Sequence, residues 1–178
     1  GQSTLAALAA ALGGGREVAV PANRIAQDCT RITPDLLALV VLDQAAIDRV
    51  VACIPGGAAN VQDIYPLAPL QEGILFHHLL QSGGDVFVSP NLLSFGAREQ
   101  LQSFVHNLNQ VIARHDILRT GFIWQGEVST PLQVVHKRVE LPFSVLDWRE
   151  RQGCSAALDT LPGEELMQPF DLQQPPLL

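Results

Sequence analysis

The segment from Tyr65 to Leu79, YPLAPLQEGILFHHL, constrains the fold more than any other part of the chain. Pro69 must stand in the first turn of any helix here, because proline inside a helix removes a hydrogen bond and clashes with the preceding turn. Gly83-Gly84 can end that helix a few turns later. The positions with helical spacing are Leu70, Ile74, Leu75 and His78. The segment therefore predicts one amphipathic helix from Pro69 to about Ser82.

Other segments also predict helices. Asp43 can cap a helix over residues 44–53, which Pro55-Gly56-Gly57 would end. Its inward positions would be Ile47, Val50, Val51 and Ile54. A long amphipathic stripe predicts a second helix over residues 99–115. Shorter helical patterns cover residues 4–12 and 149–167.

Four segments predict β-strands by their β-branched, aromatic or alternating residues. They are residues 85–95, 118–124, 132–139 and 143–146, with a turn around Gly126 between the second and the third. Helices interspersed with strands of an antiparallel or mixed sheet predict a mixed α/β or α+β fold.

The composition excludes several classes of protein. The chain has 178 residues, a hydrophobic fraction of 47% and a net charge of -7 without a Lys/Arg cluster, which argues against nucleic-acid binding. Its three cysteines are widely spaced and indicate neither a disulfide framework nor a metal site. The apolar runs are too short to span a membrane. The first four residues, Gly1 to Thr4, contain no basic residue before the apolar run, so the segment does not resemble a secretory signal peptide. We therefore expect a globular cytoplasmic protein.

His77 and His78 are the candidate catalytic residues. Neighbouring side chains on a helix point about 100° apart, so the two imidazoles cannot chelate one metal, and no metal or cofactor site is expected. Two interpretations remain open. In the first, which spacing alone favours, one imidazole packs inward and the other is exposed. In the second, one of the two imidazoles transfers protons near neutral pH.

The segment Arg114 to Phe122, RHDILRTGF, follows the long predicted helix and leads into a strand. Arg114 and His115 suit the negative end of the helix dipole, and Asp116 can organise the turn. A role in an active site is the alternative, but the residues themselves favour a structural role.

Together these two segments resemble the first and second core motifs of the condensation domains of non-ribosomal peptide synthetases. The resemblance implies the first part of a lobe like that of chloramphenicol acetyltransferase, whose two lobes enclose a tunnel for two carrier-bound substrates. Gln71, Arg119, Arg114 and His115 are then motif residues. The spacing of His77-His78-Leu79 and Gly84-Asp85 is similar to the signature of the dual epimerisation/condensation subclass, which adds Asp85 to the motif residues.

The resemblance also implies how the chain is organised. Residues 1–12 would be the last helix of an upstream peptidyl carrier domain, residues 13–31 a linker, and residues 32–178 the N-terminal part of the condensation domain. The family's HHxxxDG motif would follow residue 178. We therefore expect this portion alone to be inactive.

The function implied is epimerisation of the upstream carrier-bound residue, followed by its condensation with the downstream aminoacyl thioester. The substrates would be carried on 4'-phosphopantetheine arms. The expected partners are the upstream and downstream carrier domains, an adenylation domain and the remainder of the condensation domain, with no nucleic acid and no membrane. An ordinary condensation domain and a non-catalytic scaffold that docks carrier domains remain alternatives.

Overall fold

A computed structural model describes residues 4, 19–80, 87–89, 91–125, 128, 130–147, 149 and 171–178. The regular elements in chain order are α1 (Gln44–Ala52), β1 (Val61–Pro66), α2 (Pro69–Leu80), α3 (Arg98–Arg114), β2 (Thr120–Ile123) and β3 (Leu132–His136). Short 3₁₀ helices lie at Pro34–Leu36, Gly57–Asn60 and Asp116–Arg119. The mixed α/β class predicted from the sequence is confirmed.

The three strands form one antiparallel sheet in the order β1-β3-β2. β3 lies in the middle, and all five of its residues are buried. A central strand covered on both faces favours apolar residues, as at Leu132, Val134 and Val135, whereas Gln133 and His136 are polar residues buried in it. The predicted pairing of the two later strands is confirmed, and Gly126, between them, lies outside the described residues.

Helix α1 begins where the sequence predicts. The Asp43 carboxylate accepts a hydrogen bond of 2.7 Å from the Ala46 amide, which satisfies one of the free N–H groups of the first turn. Ile47, Val50 and Ile54 are buried as predicted, whereas Val51 is only half-buried. Gly56 follows with φ of +85°, a conformation that other residues rarely adopt.

The main core lies between α1, the segment that precedes it, and one face of the sheet. Its buried members are Ile25, Ile32, Leu37, Leu42, Ala46, Ile47, Val50, Ile54, Val61, Ile64, Ile123, Leu132 and Val134. The strand members of this set define what we call the core face of the sheet.

The outer edge of β2 is covered by the last described segment. The Phe122 amide donates to the Leu172 carbonyl over 2.8 Å. A Cβ on Gly121 would lie 2.7 Å from the Gln173 carbonyl oxygen, so only glycine allows this approach.

Two of the predicted strands are wrong. Residues 87–89 and 91–95 are irregular, and no described strand pairs with them. Leu92 and Leu93 are exposed. Residues 143–146 are also irregular. β1 was not predicted, because Asp63 and Pro66 interrupt its apolar pattern; pairing with β3 makes it a strand despite this.

The helical predictions for α2 and α3 are confirmed in position but not in every buried residue. On α2, Leu75 is buried and Ile74 and His78 are half-buried, but Leu70 remains 77% exposed. On α3 only Ile112 is buried. Apart from Thr4 and Arg149, the predicted helices over residues 4–12 and 149–167 lie outside the described residues. None of the described helices has the length and apolar character that crossing a membrane requires.

Candidate functional site

The second face of the sheet carries four polar side chains, together with Val135 and Phe122. Side chains alternate along a strand, so the residues between the core positions project to the opposite side. There Tyr65 pairs across the ladder with Gln133, while Asp63 and Thr120 both pair with Val135. We call this second surface the polar face. It receives both sequence motifs, since β1 leads into the first and β2 belongs to the second.

The first motif is fixed to the polar face through Gln71. Its side-chain oxygen accepts from the Ala68 amide over 2.8 Å, which closes the first turn of α2 as the third helical residue of a capping box does. The same amide lies 3.1 to 3.2 Å from the amide of the buried Gln133, which also donates to the Pro66 carbonyl. The predicted motif residue Gln71 thus joins α2 to the central strand.

The second motif is organised by Arg119, whose guanidinium is buried. It donates to the Ile112 carbonyl over 3.2 Å, to the Gln62 side-chain oxygen over 3.0 Å and to the His136 carbonyl. It also forms an ion pair with Asp116, whose own side chain is 55% exposed. A buried charge is tolerated only when it is paired and hydrogen-bonded, and Arg119 meets both conditions.

Gln62 connects β1 to this arginine. The ladder pairs Val61 with His136 and Asp63 with Val135, so Gln62 is the extra residue of a β-bulge. Its side-chain nitrogen donates to Asp116 over 2.9 Å while its oxygen accepts from Arg119. A bulge redirects a side chain from the regular pleat, and here it holds both members of the ion pair.

Two ionisable groups on the polar face have perturbed pKa values. Burial raises the pKa of Asp63, the Ile64 amide that it binds lowers it, and the nearby negative charge of Asp116 raises it again. Burial also raises the pKa of Tyr65, followed by the charges of Asp63 and Asp116, against a hydrogen bond with Thr120. The phenol of Tyr65 therefore keeps its proton throughout the neutral range.

His136 closes β3 and is buried. Burial lowers its pKa to about 4, and the positive charge of Arg119 contributes in the same direction. Its Nε2 atom has no hydrogen-bond partner among the described residues. The ring is therefore neutral at pH 7, and His136 pairs across the ladder with the core-face residue Val61.

The two candidate catalytic histidines lie near the end of α2. His77 is exposed, with its ring centroid 5.9 Å from that of Phe76 in an edge-on arrangement and 6.4 Å from that of Phe87. His78 is half-buried. This exposed and half-buried pair is what helical spacing predicts, and His77 is the imidazole that faces solvent.

The remaining predicted motif residues have different positions. Arg114 and His115 are exposed at the end of α3, where the His115 amide donates to the Val111 carbonyl over 3.0 Å. Asp85 lies outside the described residues. No group of three or more His, Cys, Asp or Glu side chains in the described part of the chain is arranged to hold a metal ion.

Sequence reasoning missed most of the network around Arg119. Gln62, Gln133 and His136 carry no local motif, and Gln62 and Arg119 are 57 residues apart in the chain. The sequence offered one signal for this network: the polar residues Gln133 and His136 flank the apolar pair Val134-Val135. Polar residues in a buried strand need hydrogen-bond partners, and these partners come together only in the folded sheet.

Comparison with known proteins identifies the family. Residues 61–178 match the family described as condensation domain, and this match covers well over half of the chain. The chain belongs to the condensation-domain family. The match begins at β1 and includes both motifs.

The similar curated proteins are very large synthetases. Malpinin synthetase from Mortierella alpina is 44% identical over 179 residues, which is 98% of this chain and 2% of that protein. Malpibaldin synthetase from the same organism is 42% identical over 146 residues, 80% of this chain and 3% of that protein. A linear gramicidin synthase polypeptide from Brevibacillus parabrevis is 38% identical over 149 residues, 82% of this chain and 2% of that protein. The chain thus spans a few per cent of the length of these relatives.

Proposed function

We propose that this chain is the N-terminal part of a condensation domain in a non-ribosomal peptide synthetase, with the lobe architecture of chloramphenicol acetyltransferase. The complete domain would form an amide bond between an upstream carrier-bound acyl group and a downstream aminoacyl amine. One observation carries the proposal: both motifs converge on the polar face, where Gln71 holds the first and Arg119 anchors the second. The similarity to peptide synthetases supports it.

The reaction requires an amine aligned on a thioester carbonyl, together with groups that manage its proton and the developing oxyanion. The polar face supplies ordered donors and a buried cation, and we assign them to positioning. The HHxxxDG motif does not occur in the sequence, so this portion alone is proposed to be inactive. The acyl groups would arrive on 4'-phosphopantetheine arms of upstream and downstream carrier domains, loaded by an adenylation domain.

We further propose that the domain belongs to the dual epimerisation/condensation subclass. Epimerisation needs a base that reaches the Cα proton of the upstream residue and a means to stabilise the thioester enolate. His77 suits this role because its imidazole is exposed, with its ring centroid 5.9 Å from that of Phe76 and 6.4 Å from that of Phe87. His78 and Asp85 would complete the signature.

The domain boundaries proposed with this function are those indicated by the sequence. Residues 1–12 would end an upstream carrier domain, residues 13–31 would link it, and residues 32–178 would begin the condensation domain. Core residues between Ile32 and Ile54 pack directly on the sheet, which supports starting the domain well before the family match at residue 61.

The experiment is chiral analysis of the peptide released by the intact synthetase. His77→Ala and His78→Ala are compared with His106→Ala, a matched control at an exposed position of α3. We expect the His77 variant to release peptide whose upstream residue keeps the configuration in which it was loaded, while the control inverts it normally.

Three outcomes separate the alternatives. An unchanged configuration ratio in both histidine variants would contradict the epimerisation role. Absence of inversion in the wild-type synthetase would favour an ordinary condensation domain. Normal peptide formation by a synthetase from which residues 61–136 had been deleted would favour a non-catalytic docking scaffold.

A further inference from the structure

The segment before the core is held against the sheet by specific side chains. Residues 23–29 have no regular secondary structure, yet Ile25 is buried in the main core and Cys29 packs against it. A free linker would expose its apolar residues and leave its backbone to water. In this segment Ile25 is buried, and the Ile25 and Cys29 amides and the Ala26 and Gln27 carbonyls have hydrogen-bond partners. We call it the strap.

Asn23 holds the first end of the strap. Its side-chain nitrogen donates to the Gln62 carbonyl over 2.8 Å, while its side-chain oxygen accepts from the Ile25 amide over 2.8 Å. One asparagine therefore shapes the turn that directs Ile25 inward and ties that turn to the bulge of β1.

Lys137 holds the second end. It follows β3 directly, and its ammonium group donates to the carbonyls of Ala26 and Gln27 over 3.1 and 2.8 Å. The Ala26 carbonyl also accepts from the Cys29 amide over 3.1 Å, so the lysine binds a formed turn. Hydrogen bonds from a charged donor are stronger than neutral ones.

One anchoring residue of the strap, Gln62, also binds the second motif, and the other, Lys137, is adjacent in sequence to a residue that binds it. Gln62 binds Asn23 through its backbone and binds Arg119 and Asp116 through its side chain. Lys137 follows His136, whose carbonyl accepts from Arg119. The position of the strap is thus coupled to the Arg119 network through two short connections.

We propose that the surface formed by Gln62 and Lys137 is a docking site for the chain's own residues 23–29, and that this docking fixes where the upstream part of the synthetase leaves the domain. The last step rests on the proposed function, in which an upstream carrier domain precedes the strap. A docked strap shortens the effective tether and raises the local concentration of the carrier at the domain entrance.

The test is amide hydrogen exchange in the intact synthetase, read by mass spectrometry over residues 19–31. The variants are Lys137→Ala, Asn23→Ala and their combination. Arg138→Ala is the matched control, because it removes a neighbouring cation whose contacts in the structure are made by its backbone. We expect exchange over the strap to rise about tenfold in the double variant and to stay at the wild-type rate in the control.

Exchange over β3 shows whether the whole domain remains folded. If the double variant also exchanges rapidly over residues 132–136, the single variant Lys137→Ala decides, with Lys137→Arg expected to restore protection. Equal strap exchange in Lys137→Ala and Arg138→Ala would overturn the docking site, as would unprotected strap amides in the wild type.

The functional step has a separate readout. The rate of peptide release by Lys137→Ala should fall about threefold or more relative to Arg138→Ala. If hydrogen exchange over the strap becomes faster while the rate of peptide release is unchanged, the docking site is supported but its role in presenting the carrier domain is contradicted. A wild-type synthetase that releases no peptide would instead contradict the proposed function while the exchange result stands.

Discussion

The two faces of the three-stranded sheet are built from the same strands but differ in chemistry. The core face carries Val61, Ile64, Ile123, Leu132 and Val134, each no more than 3% exposed. The polar face carries Asp63, Tyr65, Thr120 and Gln133, and the side chains around it are joined by hydrogen bonds and one ion pair. The core face gives the domain its stability, whereas the polar face gathers the two family motifs at some energetic cost.

The largest effect is expected on the core side. Ile47→Ala removes a fully buried side chain between α1 and the sheet and should lower the free energy of unfolding by about 3 to 4 kcal/mol, from lost burial and the cavity that remains. Urea denaturation measures it. Val41→Ala is the control, because Val41 is 99% exposed and should change stability by less than about 0.5 kcal/mol. Equal effects would contradict the placement of the core.

On the polar face, Arg119→Met should cost about 2 to 4 kcal/mol, because it leaves the Ile112 and His136 carbonyls without their donor and leaves Asp116 without its cation. The exposed Arg114→Met should cost less than about 0.5 kcal/mol. Because the charge of Arg119 helps to lower the pKa of His136, NMR titration of Arg119→Met should also show that pKa raised. An unchanged pKa of His136 in Arg119→Met would contradict the electrostatic interaction between Arg119 and His136.

His136 makes the stability of the domain depend on pH. Its pKa is about 4 in the folded chain and 6.5 in the unfolded chain, so between these values only the unfolded chain binds the proton. Stability is therefore lost as the pH falls from 6.5 towards 4, by about 1 to 3 kcal/mol from this group. His136→Gln should show a flatter profile over that window. Parallel profiles for the two proteins would contradict the buried neutral imidazole.

The smallest effect is a gain. Asp63→Asn should stabilise the domain at pH 7 by no more than about 0.5 kcal/mol, because solvent screens this half-exposed carboxylate; the change removes its charge near Asp116 and keeps an acceptor for the Ile64 amide. Because the folded pKa of Asp63 is raised, the gain should disappear at acidic pH, where the native carboxyl is itself protonated. Asp35→Asn, on the surface, serves as the control. A loss of stability in Asp63→Asn at pH 7 would show that the carboxylate is needed for more than charge.

The same contrast explains what could be predicted from the sequence. α1, with its Asp43 cap, and the pairing of β2 with β3 follow from local signals and are confirmed. β1 was missed, because a bulge at Gln62 and the polar Asp63 hide its strand pattern. Local propensity is weak evidence where a long-range partner decides the conformation.

The candidate site was predictable only in part. Arg119 and Gln71 were identified through the motif resemblance, but their partners Gln62 and Gln133 lie 57 and 62 residues away in the chain. Nothing in a local pattern joins residues at such separations. The position of His77 at an exposed site on α2 follows from helical spacing, whereas its role in epimerisation stays a prediction.

The claim that the polar face serves activity and the core face serves stability is tested most directly by peptide release from the intact synthetase with one variant from each side. Gln62→Leu loses two side-chain hydrogen bonds and Ile64→Val loses one buried methylene, so each should cost about 1 kcal/mol of stability. With release normalised to folded protein, we predict a fall of about tenfold or more for Gln62→Leu and less than about twofold for Ile64→Val. Equal losses in the two variants would contradict the division of roles between the faces.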